Sequence, residues 1–398
     1  MRVGGRRTRN ESTFGTSTWV AHGMKETIRE RRRRQKDQIP RLDLQVMCEK
    51  SWDVIVVGGG PAGLAAAITA RQKAFSTLLI DHRELPTAAL GKCLHPGIEC
   101  ILKKLDVWEA FCNGGYVRNT GHYAGTKRDL KYIPYRETEG SSWTDFTLYG
   151  TEIQSMLKDR FKRLGGTFLS GIFATDVIIK NNCISGVWLR GKKFPAKLVI
   201  DATGSQGFLK KRLDIRPLYG SPRLFATYCL TDRRSLHDEP TFLFNEHGWR
   251  WSARLSDGRL SQVMMDLNGR KHLLKGMKAA DVTWRFFPAC AGSGYALVGD
   301  AAIRIDPARG GGVLRALLSG IWAIALFSNR PQSAAARSSA ETYRTLMTKW
   351  AFADGAALAQ IYAECWAEPS WPQIHCWSSR PLSASRDASG GCCNSTRA

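Results

Sequence analysis

Asp53 to Gly63 reads DVIVVGGGPAG, and the rest of the chain is interpreted around this stretch. Val54 to Val57 are four apolar β-formers that run into three consecutive glycines. Ala62, Gly63 and the alanine-rich run to Ala70 then carry helix-forming residues. The expected unit is a strand, a tight turn and a helix start, with Gly58, Gly60 and Gly63 at the spacing G-x-G-x-x-G. The first glycine turns the chain, the second lets backbone approach a pyrophosphate, and the third lets helix and strand pack closely. Pro61 and Ala62 open the helix, whose free N–H groups and partial positive charge face the phosphates. Thr77 to Ile80 form a second apolar strand ending in Asp81, about 20 residues beyond the glycines, where a carboxylate can accept ribose hydroxyls.

The 398 residues suffice for two or three domains and a large core. Apolar residues at 43% and charged residues at 23% are ordinary for a globular protein. The charge balance is not: 58 Lys and Arg against 35 Asp and Glu give +23. Such an excess attracts anionic cofactors and substrates. No stacking motif or reading helix accompanies it, so specific nucleic-acid binding is not expected. The 11 cysteines are odd in number and form no C-x-x-C pair, which argues against a metal site or a disulfide framework. Cys392 and Cys393 form an adjacent pair near the end. No stretch approaches the roughly 18 apolar residues of a membrane span, and no apolar run follows the first arginines, so the cytoplasm is the expected location.

Residues 1–46, which include Arg31 to Arg34, read as a disordered basic arm. The chain then divides into 47–220, a first nucleotide-domain part; 221–284, a β-rich part; 285–330, a return to the nucleotide domain; 331–365, a helix; and 366–398, a disordered tail. Within 85–126 the run GKCLHPGIECILKKLDVWEAF places Ile98, Ile101, Leu102, Leu105 and Trp108 on one helical face. Thr151 to Leu164 is a further helix, stopped by Gly165 and Gly166. Lys197 to Ile200 leads into Asp201-Ala202-Thr203-Gly204, a small-residue turn suited to a backbone passing close to a ligand. RLFATYCL, TFLFN, GWRWSARL and SQVMMD within 223–266 alternate without helices, as in an antiparallel sheet flooring a pocket. Trp249 and Trp251 fall on one face of a strand there, either packing the sheet or lining an aromatic pocket. Tyr295 to Val298 ends at GDAAIRIDPARGGGVLRALLSG, where Gly310 to Gly312 place bare N–H groups at a helix start.

Taken in order, the glycine turn, DATG at 201–204, and GDAA with D-P-x-x-G-x-G at 299–312 resemble FAD-dependent oxidoreductases of the para-hydroxybenzoate hydroxylase type. The resemblance is to the branch shared by tryptophan halogenase-like flavoproteins and geranylgeranyl reductases, and it covers roughly Met47 to Glu364. It implies an α/β fold: a Rossmann-like FAD-binding domain of glutathione reductase type with an antiparallel-sheet substrate domain. It also implies FAD as cofactor, with Gly58, Gly60, Pro61, Ala62 and Gly63 at the pyrophosphate and Asp81 at the adenosine ribose. Arg83 would approach the adenosine or phosphate side, Gly299 and Asp300 the ribityl chain, and Pro307, Gly310 and Gly312 the isoalloxazine. NAD(P)H or a flavin reductase would supply electrons, and the acceptor would be a small-molecule or peptidyl aromatic substrate.

The expected reaction is that of a monooxygenase acting on an aromatic or electron-rich group through a flavin hydroperoxide. The alternatives are a tryptophan-type halogenase, a geranylgeranyl reductase-like enzyme and an inactive flavin-binding protein. Halogenases of this branch carry W-x-W-x-I-P and a lysine that captures the oxidised halide. Trp249-Arg250-Trp251-Ser252 keeps the tryptophans, but Ala253 and Arg254 replace Ile and Pro. Arg118 stands in the stretch 115–119 where the lysine is expected, and a guanidinium does not become an amine nucleophile. Lys92 and Lys127 are the remaining amines nearby in sequence. GKCLHPG resembles the G-E-x-L-x-P-G segment of halogenase-like flavoproteins, with Lys92 in place of the acid. His95 there is either a proton donor or acceptor beside the flavin or a packed histidine.

Overall fold

The computed structural model describes residues 44–84, 90–135, 137–138, 141–232, 237–267, 277–327 and 334–365. The chain divides into two units, residues 1–49 and 50–398. The described part of the first is one short helix, Leu44–Glu49. The rest of the expected arm and the expected tail lie outside the described residues.

The second unit starts with β1 (Trp52–Val57), in which only Asp53 is not fully buried, so the strand needs no polar alternation. Pro61 at the start of α1 (Pro61–Gln72) gives up an N–H that has no helical acceptor there. All five residues of β2 (Thr77–Asp81) are buried. β3 (Gly91–Leu94), β4 (Val117–Asn119), β5 (Gly121–Gly125), β6 (Leu130–Pro134) and β7 (Asp145–Tyr149) follow. α2 (Gly150–Arg163) begins where Glu152 Oε2 accepts the Tyr149 N–H at 2.7 Å, and ends before Gly165 at φ +71°. Next come β8 (Thr167–Ser170), β9 (Ala174–Lys180), β10 (Cys183–Leu189) and β11 (Lys192–Asp201).

The expected antiparallel sheet is built from β12 (Phe225–Thr231), β13 (Thr241–Asn245), β14 (Gly248–Arg254), β15 (Leu260–Asp266) and β16 (Lys278–Asp281). β17 (Tyr295–Leu297) then returns the chain to the first sheet, followed by α3 (Gly312–Phe327) and α4 (Ala334–Cys365). Tyr343, Met347, Ala351, Leu358 and Tyr362 of α4 are buried at helical spacing, which explains why this long helix holds to the core.

The first sheet runs β8-β2-β1-β11-β10-β9, with β17 also on β11. Its centre is parallel, so the carboxyl ends of β2, β1, β11 and β17 lie along one edge, where α/β folds bind ligands. The second sheet runs β16-β12-β15-β14-β13-β5-β6. It recruits β5 and β6 from residues 121–134, so it is larger than the part read from 221–284. A third sheet, β3-β7-β4, lies against it: a Cβ on Gly91 would sit 2.5 Å from Ser261 Cβ of β15. Among the described residues no helix is long and apolar enough to cross a membrane.

The closest interlayer contact joins α1 to α3. Ala65, Ala66 and Ala67 are fully buried, and a Cβ on Gly320 would lie 2.3 Å from Ala62 O. That obstacle is backbone and cannot rotate away. Gly320→Leu should therefore destabilise the protein by about 3 kcal/mol or more, read as a lower urea midpoint with unchanged m-value; wild-type stability would show that the helices do not touch there.

Candidate functional site

The glycine turn leaves β1 with Gly58 at φ +113°, its N–H donating to Ile80 O at 2.7 Å. A Cβ on Gly58 would lie 2.4 Å from Ala202 O, so the DATG turn passes directly over it. A Cβ on Gly63 would lie 1.9 Å from Gly58 O. Gly60 differs, because nothing stands within 4 Å of its Cβ position. Protein packing therefore accounts for Gly58 and Gly63, while Gly60 faces space that a ligand backbone or phosphate can enter. The Leu64 N–H is the first in α1 to reach a carbonyl, Gly60 O at 2.9 Å, which leaves the N–H groups of Ala62 and Gly63 directed at that space.

Asp81 ends β2 with only 4% of its surface exposed. It accepts the Gly59 N–H at 2.9 Å and the Arg83 N–H at 3.0 Å, and the Arg83 side chain folds back to within 3.4 Å. Arg83 also donates to Oδ2 at 3.4 Å and His82 Nδ1 lies 3.3 Å from Oδ1. A carboxylate offers about four acceptor positions, so a hydroxyl donor would take the place of the two long Arg83 bonds. A cavity of about 230 Å³ opens here, lined by Gly58, Asp81, His82, Arg83, Thr203 and Arg212 among others. At its rim His82 stacks on Phe173 with ring centroids 5.2 Å apart, and Phe173 is 62% exposed. An exposed flat aromatic beside a carboxylate suits a nucleobase and its sugar.

The far end is formed by Gly299, Asp300 and the glycine loop. Gly299 has φ +60° and donates its N–H to Ser319 Oγ at 2.8 Å; a Cβ there would lie 2.9 Å from Ala62 Cβ. Asp300 is half exposed, and a Cβ on Gly204 would lie 3.9 Å from its Cβ. The three motifs thus touch one another through residues nearly 240 positions apart. Pro307–Arg309 is a single 3-10 turn whose preceding Asp306 accepts the Ala308 N–H at 2.9 Å. Gly310 and Gly311 follow at φ +68° and +66°, and the Cβ positions of Gly310 and Gly312 are open. The residues present fit an elongated dinucleotide cofactor: bare backbone at both ends, a carboxylate at each sugar-like position, and open space at Gly60, Gly310 and Gly312.

His95 is brought to this loop, its Cδ2 3.9 Å from the Gly311 Cβ position. Its Nδ1 accepts the Gly97 N–H at 3.0 Å, so the neutral ring carries its proton on Nε2. Burial, and then the charge of Arg309, lowers its pKa, with Asp354 opposing. Lys92 is solvent-exposed on β3; crowding by the surrounding protein lowers its pKa, and the charge of Asp300 pulls it back. Lys127 is exposed in the turn between β5 and β6.

Arg118 lies on the exposed face of β4 and donates to Thr144 Oγ1 at 3.1 Å. Asn119, one residue on, points inward and is 2% exposed. The register puts Cys93, Asn119, Asp145 and Thr147 on one face of the third sheet. There Asp145 accepts from Cys93 Sγ at 2.6 Å and also from Asn119 and Tyr135. Burial raises the Asp145 pKa against these bonds. The sequence reading missed this cluster, because its members come from four separated segments. Asp201 is structural: fully buried, it accepts from Thr203 N and Oγ1 and from Leu209 N, fixing the DATG turn and the next helix. Among the described residues no group of three or more His, Cys, Asp or Glu side chains could hold a metal.

Residues 53–209 match the family described as FAD dependent oxidoreductase. The chain is 23% identical over 337 residues to a 1H-pyrrole-2-carbonyl-(peptidyl-carrier protein) chlorinase of Pseudomonas fluorescens, covering 69% of this chain and 75% of that protein. The fold is that of a myxobacterial chondrochloren halogenase, an FAD-dependent halogenase (TM-score 0.69, 17% identity, 79% of this chain and 83% of that one). It is also that of a peptidyl tryptophan dihydroxylase (TM-score 0.63, 18% identity, 82% and 78%).

Because the Gly60 Cβ position is open, Gly60→Leu should fold normally yet lose FAD affinity by about 100-fold or more. Equilibrium dialysis with FAD beside a melting curve checks this; unchanged affinity would remove the phosphates from this turn.

Proposed function

We propose that this chain, similar to FAD-dependent oxidoreductases of the halogenase-like branch, modifies an aromatic or other electron-rich acceptor by halogen transfer. The observation that carries the site assignment is the meeting of His95 with the Gly310–Gly312 loop, which sets a titratable group beside the expected position of the cofactor's ring. The halogenating relatives favour halogen over oxygen. Bound FAD supplies the redox chemistry, using electrons from NAD(P)H or a flavin reductase to activate O2. The residues of this chain bind, orient and shield. Gly60 and the first turn of α1 hold the diphosphate, Asp81 and Asp300 hold hydroxyls, and bare N–H groups of the loop leading into α3 stabilise negative charge on the ring.

The acceptor site in this reading lies between the third sheet and β5-β6, where Cys93, Asn119, Tyr135 and Asp145 present neutral polar groups around one carboxylate. His95, neutral at pH 7 and donating from Nε2, holds the proton that an acceptor or departing group exchanges. Enclosure of the reacting atoms by the two sheets keeps water out. A carrier-bound or peptidyl acceptor is consistent with what the relatives are named for.

Oxygen transfer is the second reading, and one observation favours it: the inward residue of β4 is Asn119, an amide, and no amine stands on that face. The two are separated by incubating protein, reduced FAD, O2 and bromide with pyrrole, indole and phenol acceptors, free and carrier-bound. A bromine isotope doublet in the product is expected. Incorporation of 18O from labelled O2 without bromine would replace halogenation by hydroxylation, and FAD that is oxidised with no acceptor modified would sink both.

A further inference from the structure

Beside the flavin-side loop lies a second buried network that the sequence did not announce. Asp306, 1% exposed, accepts the Ala308 N–H at 2.9 Å on Oδ1, and Trp284 Nε1 at 2.5 Å and Tyr362 Oη at 3.1 Å on Oδ2. Tyr362 Oη in turn accepts Trp249 Nε1 at 3.0 Å. These partners come from the turn after Asp306, from the segment after β16, from α4 and from β14 of the substrate sheet.

The polarity of this chain is fixed. Indole and amide N–H groups only donate, so the tyrosine oxygen must accept from Trp249, and its one proton must go to Asp306. Three hydrogens therefore point at the carboxyl group, and a proton on it would have no acceptor among these partners. None of the three donors is a cation. Burial pushes the carboxyl up to about 6, with the hydrogen bonds from Ala308, Trp284 and Tyr362 and then the charge of Arg315 opposing. The folded value exceeds the unfolded one, so this group's contribution to stability is fully present at low pH and is lost as pH rises from about 4 to 6. Above that window the fold holds an ionised carboxylate at a cost in stability, and an apolar or amide side chain would avoid that cost. The carboxylate stands at the base of the loop that faces the cofactor's ring.

We propose that Asp306 is a positioning residue for the flavin-side loop, and that the substrate sheet sets this loop through the hydrogen-bond chain Trp249, Tyr362, Asp306, Ala308. The inference rests on the assignment of FAD to this cleft. Protonating Asp306 displaces one donor and frees the Pro307 turn, so the environment of the ring changes with its ionisation. Other charged or titratable groups face the network: Arg315 from α3, Tyr362 and Cys365 from α4, and Arg309, Asp354 and His95 around the loop. His95 also titrates below its ordinary value and must be separated.

The test is a titration of the FAD-loaded protein from pH 5 to 8, following the flavin absorption band and midpoint potential. The wild type should show a step near pH 6 that is absent in Asp306→Asn and present in His95→Gln. Tyr362→Phe removes a donor to the carboxylate and should move the step upward by roughly half to one pH unit. Trp249→Phe should move it the same way by less, because it weakens the tyrosine only indirectly. A residue that merely supports the fold would lower the melting temperature and leave no flavin step to move. Should Asp306→Asn fail to fold, the two aromatic variants decide the matter alone. A flat wild-type profile with FAD bound, a step lost in His95→Gln, or a step unmoved by Tyr362→Phe overturns the inference. A protein that takes up no FAD overturns the cofactor reading and this one with it.

Discussion

The structure depends on a line of close approaches that glycines make possible, three of them against backbone carbonyls and one, at Gly299, against the Ala62 methyl group. Gly58 against Ala202, Gly63 against Gly58, Gly299 against Ala62 and Gly320 against Ala62 are each closer than a Cβ permits. Together they pin the first turn of α1, the DATG turn, the Gly299–Asp300 corner and the flank of α3 to one another. Repacking cannot relieve a clash with a carbonyl, and a Cβ fixed to a helix backbone gives little more, so these positions define a rigid frame. The open Cβ positions at Gly60 and Gly312 lie beside that frame and are explained neither by packing nor by a positive φ, whereas Gly310 is held to glycine by its φ of +68°. A glycine with room for a side chain but none present is better evidence of a bound group than a crowded one.

Much of this frame was legible because it is local. An unbroken apolar strand, a glycine triplet, an alanine-rich helix start and a carboxylate at the end of the next strand all lie within 30 residues, and each has one physical reading. That residues 331–365 contain a helix was legible for the same reason, and the structure sets it at Ala334–Cys365. The place of β5 and β6 in the substrate sheet was not legible, since pairing between Gly121–Gly125 and Thr241–Asn245 is set by packing across more than 100 residues. The small sheet hid more. Arg118 drew the eye as the cation in the expected stretch, yet strand alternation turns it outward and Asn119 inward. Only the register against Asp145 decides which of the two faces the interior.

The buried carboxylates show why composition is a poor guide to the site. The protein carries a large positive excess, yet Asp145, Asp201 and Asp306 are held by neutral donors. Their pKa values are raised by burial in each case. Surface cations are well solvated and screened, so they set the approach of anions and little else. The interior instead uses backbone N–H, hydroxyl, thiol and indole groups whose directions are fixed. Such donors favour the ionised form and oppose the effect of burial without cancelling it.

The chemistry then follows from a division between the two large sheets. The parallel sheet offers backbone, which recognises the common parts of a cofactor and tolerates little variation. The antiparallel sheet and its small companion offer side chains, and in the proposed reading those side chains would select the reaction. An amide at Asn119 accepts and donates hydrogen bonds but forms no haloamine, whereas an amine in the same space would. In the proposed acceptor site the same fold would serve halogenation or hydroxylation according to the polar groups that line it, here Cys93, Asn119, Tyr135 and Asp145.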